Sequence, residues 1–221
     1  MLERLSIVMP VLNEAAGLRT ALEALAPLRR RGHEVIVVDG GSGDGSARLA
    51  EGLCDRVLRE RPGRALQMNA GAGAASGTAL VFLHADTRLP EGAEDAILGA
   101  LRRRAWGRFD VHIQGRHPLL ALVAAAMNVR SRLTGIATGD QAIFVRRAAF
   151  PGFPEIAIME DVAFSKTMWR VSPPACLRAR VLTSGRRWER HGVVRTILLM
   201  WRLRLAYAMG ADPERLAERY R

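Results

Sequence analysis

Short apolar segments alternate with helical hydrophobic patterns along the first hundred residues. The first strand is predicted at residues 5–9, where Pro10 blocks its continuation, and a helix is predicted at residues 15–25. Further strands are predicted at residues 35–38, 56–58 and 79–83. Nearly continuous apolar strands that alternate with helices are typical of a parallel sheet with helices on both faces. The pattern predicts an α/β fold with a mostly parallel central sheet and a Rossmann-like, nucleotide-binding N-terminal half.

The second half of the chain continues with less regular elements. Its predicted helices and strands lie at residues 91–103, 108–114, 118–129, 142–145 and 175–182. Glu160 and Asp161 open a further helix, and two C-terminal helices at residues 193–209 and 213–220 are separated by Gly210. No internal repeat is visible, so we expect a single domain over residues 1–221.

Composition and charge narrow the class of protein. The 221 residues are 49% hydrophobic and 25% charged, which is typical of a globular chain. Two cysteines are too few for a disulfide framework, and no apolar segment approaches the roughly 18 residues that span a bilayer. The N-terminus lacks a signal-peptide layout, so the expected location is the cytoplasm or, peripherally, the inner face of the membrane.

The positive charge is concentrated in the C-terminal half. Residues 1–100 carry a net charge of −2 and residues 101–221 a net charge of +13. A basic surface attracts phosphates, nucleic acid or anionic membranes. Aromatic residues make up 5% of the chain, and this low share argues against a nucleic-acid partner.

Polar side chains follow three of the predicted strands. Asn13 and Glu14 follow the first strand, Asp39 follows the second, and the His84-Ala85-Asp86 segment follows the strand at residues 79–83. The glycine-rich turn at residues 40–45 lacks the G-x-G-x-x-G spacing, and the chain contains no P-loop motif. Because strand ends gather ligands at one sheet edge in open α/β folds, these residues suggest one site.

Six short motifs occur in a characteristic order. They are Pro10-x-x-Asn13-Glu14, Val37-Val38-Asp39-Gly40-Gly41-Ser42, Gly63-Arg64 with Asn69, His84-Ala85-Asp86, Glu160-Asp161 and Arg187-Trp188. In this order, over residues 5–190, the chain resembles the family 2 glycosyltransferases. Its short length also resembles a compact bacterial subgroup associated with arsenosugar biosynthesis. The resemblance implies a GT-A fold, a nucleoside-diphosphate sugar donor, a divalent metal and inversion at the anomeric carbon.

The resemblance also implies a division of the chain and a donor site. Residues 1–100 would bind the nucleotide-sugar, residues 101–190 would hold the acceptor and catalytic half, and residues 191–221 would form C-terminal helices. The implied donor-binding residues are Pro10, Asn13, Glu14, Asp39, Gly40, Arg64, Asn69, His84, Ala85 and Asp86. Asp39 would accept a hydrogen bond from a uracil-like base, although turn formation also explains an aspartate there. Glu14 and Arg64 also suit ordinary helix starts.

Asp86 is the implied metal ligand, for Mn²⁺ or Mg²⁺. His84 stands where the family usually has the first aspartate of a D-x-D motif, so we expect weaker metal affinity, or more tolerance of Mn²⁺, than a D-x-D enzyme would show. A strand-end histidine without a catalytic part also fits this position.

Asp161 matches the position of the family's general base, and Glu160 is the second choice. Two acids at a helix start are also favourable in their own right. The implied acceptor-binding residues are Gly139, Asp140, Gln141, Arg187 and Trp188. Ser184 stands where processive members have Gln or Arg, so polymer synthesis is not expected. Core packing of Trp188 with a surface Arg187 is the alternative.

Three classes of function therefore remain open. The first is a metal-dependent inverting glycosyltransferase that uses a UDP-linked sugar and an unknown hydroxyl acceptor. The second is a sugar nucleotidyltransferase, and the third is a non-catalytic basic module that docks on membrane or nucleic acid. The helix at residues 193–209 mixes apolar residues with arginines, which suits either membrane contact or a helix that covers the sheet.

Overall fold

The computed structural model describes residues 4–220, so the predicted domain limits at residues 1 and 221 lie outside the described residues. An eight-stranded sheet has the order β3-β2-β1-β4-β7-β6-β8-β5. The strands are β1 (Leu5–Val11), β2 (Glu34–Asp39), β3 (Arg56–Arg59), β4 (Ala79–Phe82), β5 (Thr87–Arg88), β6 (Trp106–Gln114), β7 (Ile143–Arg146) and β8 (Ala175–Ser184). The helices are α1 (Ala15–Arg30), α2 (Ser46–Ala50), α3 (Arg64–Ala74), α4 (Ala93–Leu101), α5 (Leu119–Thr134), α6 (Glu160–Val171), α7 (Arg186–His191), α8 (Val193–Ala208) and α9 (Pro213–Tyr220). Short 3₁₀ turns lie at Gly139–Gln141 and Arg147–Ala149.

The sheet is parallel over its N-terminal half and mixed beyond it. Strands β3, β2, β1 and β4 are all parallel, and β6 is parallel to β8. Strand β7 is antiparallel to both β4 and β6, and β5 is antiparallel to β8. The predicted α/β class with a mostly parallel sheet is confirmed.

Apolar side chains cover both faces of the sheet, as the continuous strands require. On one face, Ile7 packs in a cluster with Leu22 of α1 and Ile97 of α4. On the other face, Val8 packs in a second cluster with Met68 of α3 and Phe164 of α6. Adjacent residues of β1 thus face opposite helix layers, because side chains alternate along a strand. Helices therefore lie on both faces, as predicted.

Strand β1 continues through Pro10, so the prediction that Pro10 blocks it is wrong. Val8 bonds towards β4, because its carbonyl accepts the N–H of Leu83. Pro10 is two residues after Val8, so its backbone groups also face the β4 side of the strand. The pairing with β4 ends at Val8, however. The missing N–H of Pro10 therefore costs no ladder hydrogen bond, while the pairing with β2 continues to Val11.

The last two helices form a small separate cluster. Leu203 of α8 and Leu216 of α9 pack with Ile158 and Met159, which lie immediately before α6. Between residues 4 and 220, the helices are all too short or too polar to cross a bilayer. The α8–α9 pair therefore rests against the start of α6.

Candidate active site

Asp39 ends β2 and is 2% exposed. Its Oδ2 atom accepts hydrogen bonds from the N–H groups of Gly41 and Ser42, both at 3.0 Å. The Oδ1 atom is buried and has no hydrogen-bond partner within the described part of the chain. A buried carboxylate oxygen without a donor is costly, so this atom is suited to receive an N–H from a ligand.

The loop after β1 is tied to the glycine-rich turn after β2. The N–H of Asn13 donates to Ser42 Oγ at 2.9 Å, and Asn13 Oδ1 accepts the N–H of Gly43 at 3.0 Å. Gln67 of α3 donates through Nε2 to the carbonyls of Val11 and Val38, both at 2.8 Å. These bonds hold the ends of β1 and β2 in register around Asp39.

His84 follows β4 and meets the 3₁₀ turn at Gly139–Gln141. Its Nδ1 atom lies 3.6 Å from Asp140 Oδ1. Gly139 packs so closely on the imidazole that a Cβ there would lie 2.4 Å from His84 Cε1. Contact with His84, together with Arg64 and Arg187, keeps the pKa of Asp140 below its usual range, although desolvation acts to raise it. The predicted donor and acceptor sides therefore meet at His84.

The acid pair Glu160 and Asp161 opens α6 beside this turn. Asp161 Oδ2 accepts the N–H of Gly139 at 3.0 Å, and Asp161 Oδ1 accepts the N–H of Val162 at 2.7 Å. Burial, and then the charge of Asp161, raises the pKa of Glu160 to about 7. Burial also raises the pKa of Asp161, against the effect of its two backbone hydrogen bonds. Raised carboxyl pKa values of this kind suit proton transfer near neutral pH.

Two arginines supply positive charge to the same region. Desolvation acts to lower the pKa of Arg64, but nearby anions that include Glu160 and Asp161 outweigh it and raise the pKa. The guanidinium of Arg187 stacks on the Tyr220 ring at 3.7 Å and donates through Nη2 to the Tyr220 carbonyl at 2.7 Å. Both arginines act on Asp140, so the structure brings acids and arginines together as one electrostatic group.

The backbone is strained at three points around the site. Over residues 4–220, the non-glycine residues with positive φ are Asn13, Ala142 and Met159, at 56°, 46° and 70°. They lie in the loop after β1, after the Gly139–Gln141 turn and immediately before Glu160. Such conformations cost about 1–3 kcal/mol each and are concentrated at functional sites.

Other predicted residues make contacts that shape the site. Asn69 exchanges two hydrogen bonds with the backbone of Phe153, at 2.9 and 2.8 Å. Gln141 is fully buried and caps its own turn, because its Oε1 accepts the N–H of Thr138 at 3.2 Å. Trp188 is half-buried and packs against the first core cluster.

Four further predicted residues lie along the strand ends. Pro10 and Gly40 lie at the ends of β1 and β2, and Ala85 is buried beside His84. Glu14 Oε2 accepts a hydrogen bond from Arg186 Nη2 at 3.4 Å, and this bond links the loop before α1 to α7.

Sequence reasoning missed three residues that hold the site together. Gln67 could have been noticed, because it is a polar residue between the apolar Leu66 and Met68 of a helix. Arg186 lies beside a predicted residue, but its bond to Glu14 spans 172 positions. Tyr220, the partner of Arg187, ends a polar helix and carries no local signal.

The donor chemistry at Asp86 suits a hard divalent cation. The residue is half-buried, and the Thr87 hydroxyl approaches its Oδ1 at 3.4 Å. No group of three or more His, Cys, Asp or Glu side chains over residues 4–220 is placed to hold an ion. A metal here would therefore need phosphate or water oxygens in addition to the Asp86 carboxylate.

Comparison with known proteins identifies the family. Residues 6–147 match the family model "Glycosyl transferase family 2". The chain belongs to the family 2 glycosyltransferases. A PGL/p-HBAD biosynthesis glycosyltransferase of Mycobacterium bovis BCG is 38% identical over 93 residues, which are 39% of this chain and 36% of the relative. The chain thus matches about a third of the length of that relative.

Solved structures share the GT-A fold at low sequence identity. S. aureus TarS 1–349 in complex with UDP superposes with a TM-score of 0.64 and 15% identity, over 82% of this chain and 60% of that one. Glucosyl-3-phosphoglycerate synthase from Mycobacterium tuberculosis, in complex with Mn²⁺, UDP and glucosyl-3-phosphoglycerate, gives a TM-score of 0.61 at 19% identity, over 82% of this chain and 71% of that one. The predicted GT-A fold is confirmed.

Proposed function

We propose that the protein transfers a sugar from a nucleoside-diphosphate sugar, with UDP as the nucleotide, to an acceptor hydroxyl with inversion. The observation that carries this proposal is the position of Asp161, which is held by the Gly139 N–H beside the strand-end His84. This arrangement puts the half-buried Asp161 carboxylate next to the edge where β1, β2 and β4 end. Family membership favours this function over a nucleotidyltransferase or a non-catalytic docking module.

The proposed reaction is a single displacement. Asp161 accepts the proton of the acceptor hydroxyl as its oxygen forms the bond to the anomeric carbon. The bond from that carbon to the diphosphate breaks, and the departing oxygen takes the electron pair. Arg64 and Arg187, which already act on the acidic side chains of the site, stabilise the charge that develops on the diphosphate.

Support for the UDP donor comes from Asp39 and from the structural neighbours. The free Oδ1 of Asp39 can accept the ring N–H of uracil, while its Oδ2 maintains the turn. Two of the similar structures, TarS and glucosyl-3-phosphoglycerate synthase, are complexes with UDP. A uracil base would therefore satisfy the buried Oδ1 atom of Asp39, which has no donor within residues 4–220.

A divalent metal is part of the proposal. Asp86 would hold Mn²⁺ or Mg²⁺ together with diphosphate oxygens, and the ion would offset negative charge on the leaving group. Glucosyl-3-phosphoglycerate synthase has been crystallised with either ion. His84 supplies no second carboxylate, so we expect modest metal affinity without nucleotide.

Thermal stability with added nucleotides tests the donor. A ligand at about one hundred times its Kd adds roughly 2.7 kcal/mol. For a chain of this size we expect UDP with Mn²⁺ to raise the Tm by about 5–10 °C, more than GDP or CDP does. The Asp86→Asn variant should lose the part of the shift that depends on Mn²⁺. No shift with any nucleoside diphosphate, in any metal, would contradict the proposal.

Substitution of the base tests the chemistry separately from binding. Asp161→Asn should leave the UDP-induced shift in place and lower kcat by about 100- to 10,000-fold. Both oxygens of Asp161 accept backbone N–H groups, so the substitution also tests the Gly139 turn. An unchanged UDP-induced Tm shift would show that the turn is intact. Glu160→Gln is the matched control, and a larger loss of turnover there would move the role of base to Glu160.

A further inference from the structure

Helix α8 exposes a continuous apolar stripe. Val194, Leu198, Trp201 and Leu205 recur at intervals of three or four residues, and Met209 follows immediately after the helix. Trp201 is 71% exposed and Leu205 is 62% exposed. This spacing places the side chains on one face of a helix, so the exposure is a property of the whole face.

The opposite face of α8 holds the helix on the protein. Val193, Thr196 and Leu203 are its buried residues. Leu203 belongs to the small cluster with Met159, next to the acid pair, and Tyr207 packs partly buried against that cluster. The apolar stripe is therefore not needed to attach α8 to the fold.

Arginines flank the apolar stripe. At about 100° per residue, Arg195 and Arg202 lie on one side of it and Arg204 on the other. Beside the stripe is a cavity of about 500 Å³, lined by Val194, Arg195, Leu198, Leu199, Arg202 and Arg219. Three of these six residues are arginines, so an anionic group fits this cavity.

We infer that the exposed face of α8 binds the surface of an anionic lipid bilayer. The apolar stripe enters the boundary between headgroups and acyl chains, and the flanking arginines pair with lipid phosphates. An exposed tryptophan in the middle of the stripe suits the same interfacial depth. The helix lies in the plane of the membrane and does not cross it.

The charges favour a bilayer over a second copy of the chain. In a two-fold dimer through this face, the same patch meets itself. Arg195, Arg202 and Arg204 of one copy would then face arginines of the other, which costs free energy. An anionic surface meets the same arginines with opposite charge.

Membrane binding through α8 would also position the acid pair. Ile158 and Met159 pack on the inner side of the α8–α9 pair, and Glu160 and Asp161 follow directly. A bilayer on the outer side of α8 would hold the start of α6 close to the headgroups. The binding itself does not depend on the proposed sugar transfer.

Co-sedimentation with vesicles tests the inference. We expect the wild-type chain to bind phosphatidylcholine vesicles that contain phosphatidylglycerol, and to bind pure phosphatidylcholine weakly. Leu198→Ser/Trp201→Ser should lower the partition coefficient by at least about tenfold, since it removes buried apolar area. Arg195→Gln/Arg202→Gln should lower it by about 25-fold, at about fivefold per arginine, and added salt should reproduce this loss.

Matched controls show whether the effect depends on the position of these residues on α8 or only on the loss of apolar area and charge. Val171→Ser removes a side chain that is 59% exposed on α6, and Arg48→Gln/Arg103→Gln removes the same charge at exposed positions elsewhere. Neither control should change vesicle binding. The α8 variants should keep their circular dichroism spectrum and UDP-induced Tm shift, which separates this test from that of the proposed function.

Three results would overturn the inference. They are no binding of the wild-type chain to anionic vesicles, equal binding of the α8 variants and their controls, or a wild-type dimer that Leu198→Ser/Trp201→Ser makes monomeric. The last result would assign the face to a second copy.

Discussion

At the scale of single residues, the two carboxylate oxygens of Asp39 have different roles. Oδ2 accepts the N–H groups that form the turn, while Oδ1 is buried and free. A serine or asparagine could form the turn as well. The free oxygen is thus the feature that points to ligand recognition.

Asp39→Asn should therefore weaken UDP binding while it preserves the turn. The amide oxygen can still accept the N–H groups of Gly41 and Ser42, but an NH₂ group then faces the N–H of uracil. We expect the Kd for UDP to rise by about 10- to 100-fold, which corresponds to the loss of a charged hydrogen bond. Titration calorimetry with UDP and CDP measures it, and the preference for UDP over CDP should fall.

Ser42→Ala is the matched control for a disturbed loop. It leaves the Asp39 carboxylate intact and removes the hydroxyl that accepts the Asn13 N–H. An equal loss of UDP affinity in both variants would show that loop geometry, rather than the free oxygen, controls binding.

Glu160 should make the stability of the protein depend on pH. Burial, and then the charge of Asp161, raises its pKa from 4.5 to about 7 in the folded state. As pH rises above 4.5, the unfolded chain ionises first while the folded chain keeps the proton, so the free energy of unfolding falls until about pH 7. Above about pH 7 both states are ionised, and the free energy of unfolding stays lower by the full amount.

Glu160→Gln should consequently stabilise the protein at alkaline pH. We expect a gain of up to about 3 kcal/mol near pH 8 and a much smaller one near pH 5. Urea denaturation at the two pH values measures the difference. Glu155→Gln removes one carboxyl group at an exposed position of the same segment and is the matched control. A pH-independent effect of Glu160→Gln would assign it to packing instead.

Single residues with local signals were predictable from sequence, and their partners were not. Asp39, Asp86 and Asp161 follow apolar strands or open a helix, which makes them visible. The contact of His84 with Asp140 and that of Arg187 with Tyr220 join distant parts of the chain. Such contacts depend on tertiary packing, which no local pattern encodes.

At the scale of elements, the Gly139–Gln141 turn connects the end of β4 to the start of α6. Gly139 offers its N–H to Asp161 and packs its Cα against the His84 ring. Its φ angle is not positive, so close approach rather than conformation requires a glycine here. The turn thus transmits the position of His84 to the proposed base.

Gly139→Ala should displace the His84 ring and disturb the bond to Asp161. A Cβ would lie 2.4 Å from His84 Cε1, so we expect a loss of about 1–3 kcal/mol of stability and a lower kcat. Urea denaturation and turnover measure the two effects. Adding His84→Ala should recover most of the stability, because it removes the clashing ring.

Gly99→Ala is the control in an open position. Gly99 lies inside α4, and nothing lies within 4 Å of an added Cβ there. We expect this variant to be stabilised by about 0.5–1 kcal/mol. If Gly139→Ala is as stable as wild type, or if His84→Ala recovers nothing, the turn does not couple the two residues as argued.

The long elements were predictable and the short ones were not. Periodicity located β1, β2 and β4 within about two residues. It also located the starts of α1 and α5, but both helices continue past their predicted ends, to Arg30 and Thr134. The two-residue strand β5 and the six-residue helix α7 are too short to show a period. They form where β8 and α8 provide neighbours, so their existence depends on the assembled sheet.

At the scale of the whole molecule, the core over residues 4–220 is divided into three clusters. Two of them cover the faces of the sheet, and the third joins α8 and α9 to Ile158 and Met159. The third cluster is small, and the acid pair follows it directly in sequence. The position of the proposed base therefore depends on the least extensive part of the core.

Leu216→Ala should loosen the acid pair without unfolding the sheet. Leu216 is 2% exposed in the third cluster, and its truncation typically costs about 2–5 kcal/mol locally. Because small clusters open independently of the main core, we expect faster amide exchange in α8, α9 and the start of α6, with β1 and β4 still protected. Turnover should fall, since Asp161 loses its fixed position, while the UDP-induced Tm shift remains.

Leu22→Ala supplies the contrast, because Leu22 is fully buried in the main cluster under β1. This variant should lower the urea midpoint of the whole molecule and raise exchange in every element together. If Leu216→Ala behaves in the same way, the α8–α9 pair is part of one cooperative unit with the sheet. If only the C-terminal elements respond, the third cluster controls the position of the proposed base. A membrane on the outer face of α8 would then stabilise this cluster.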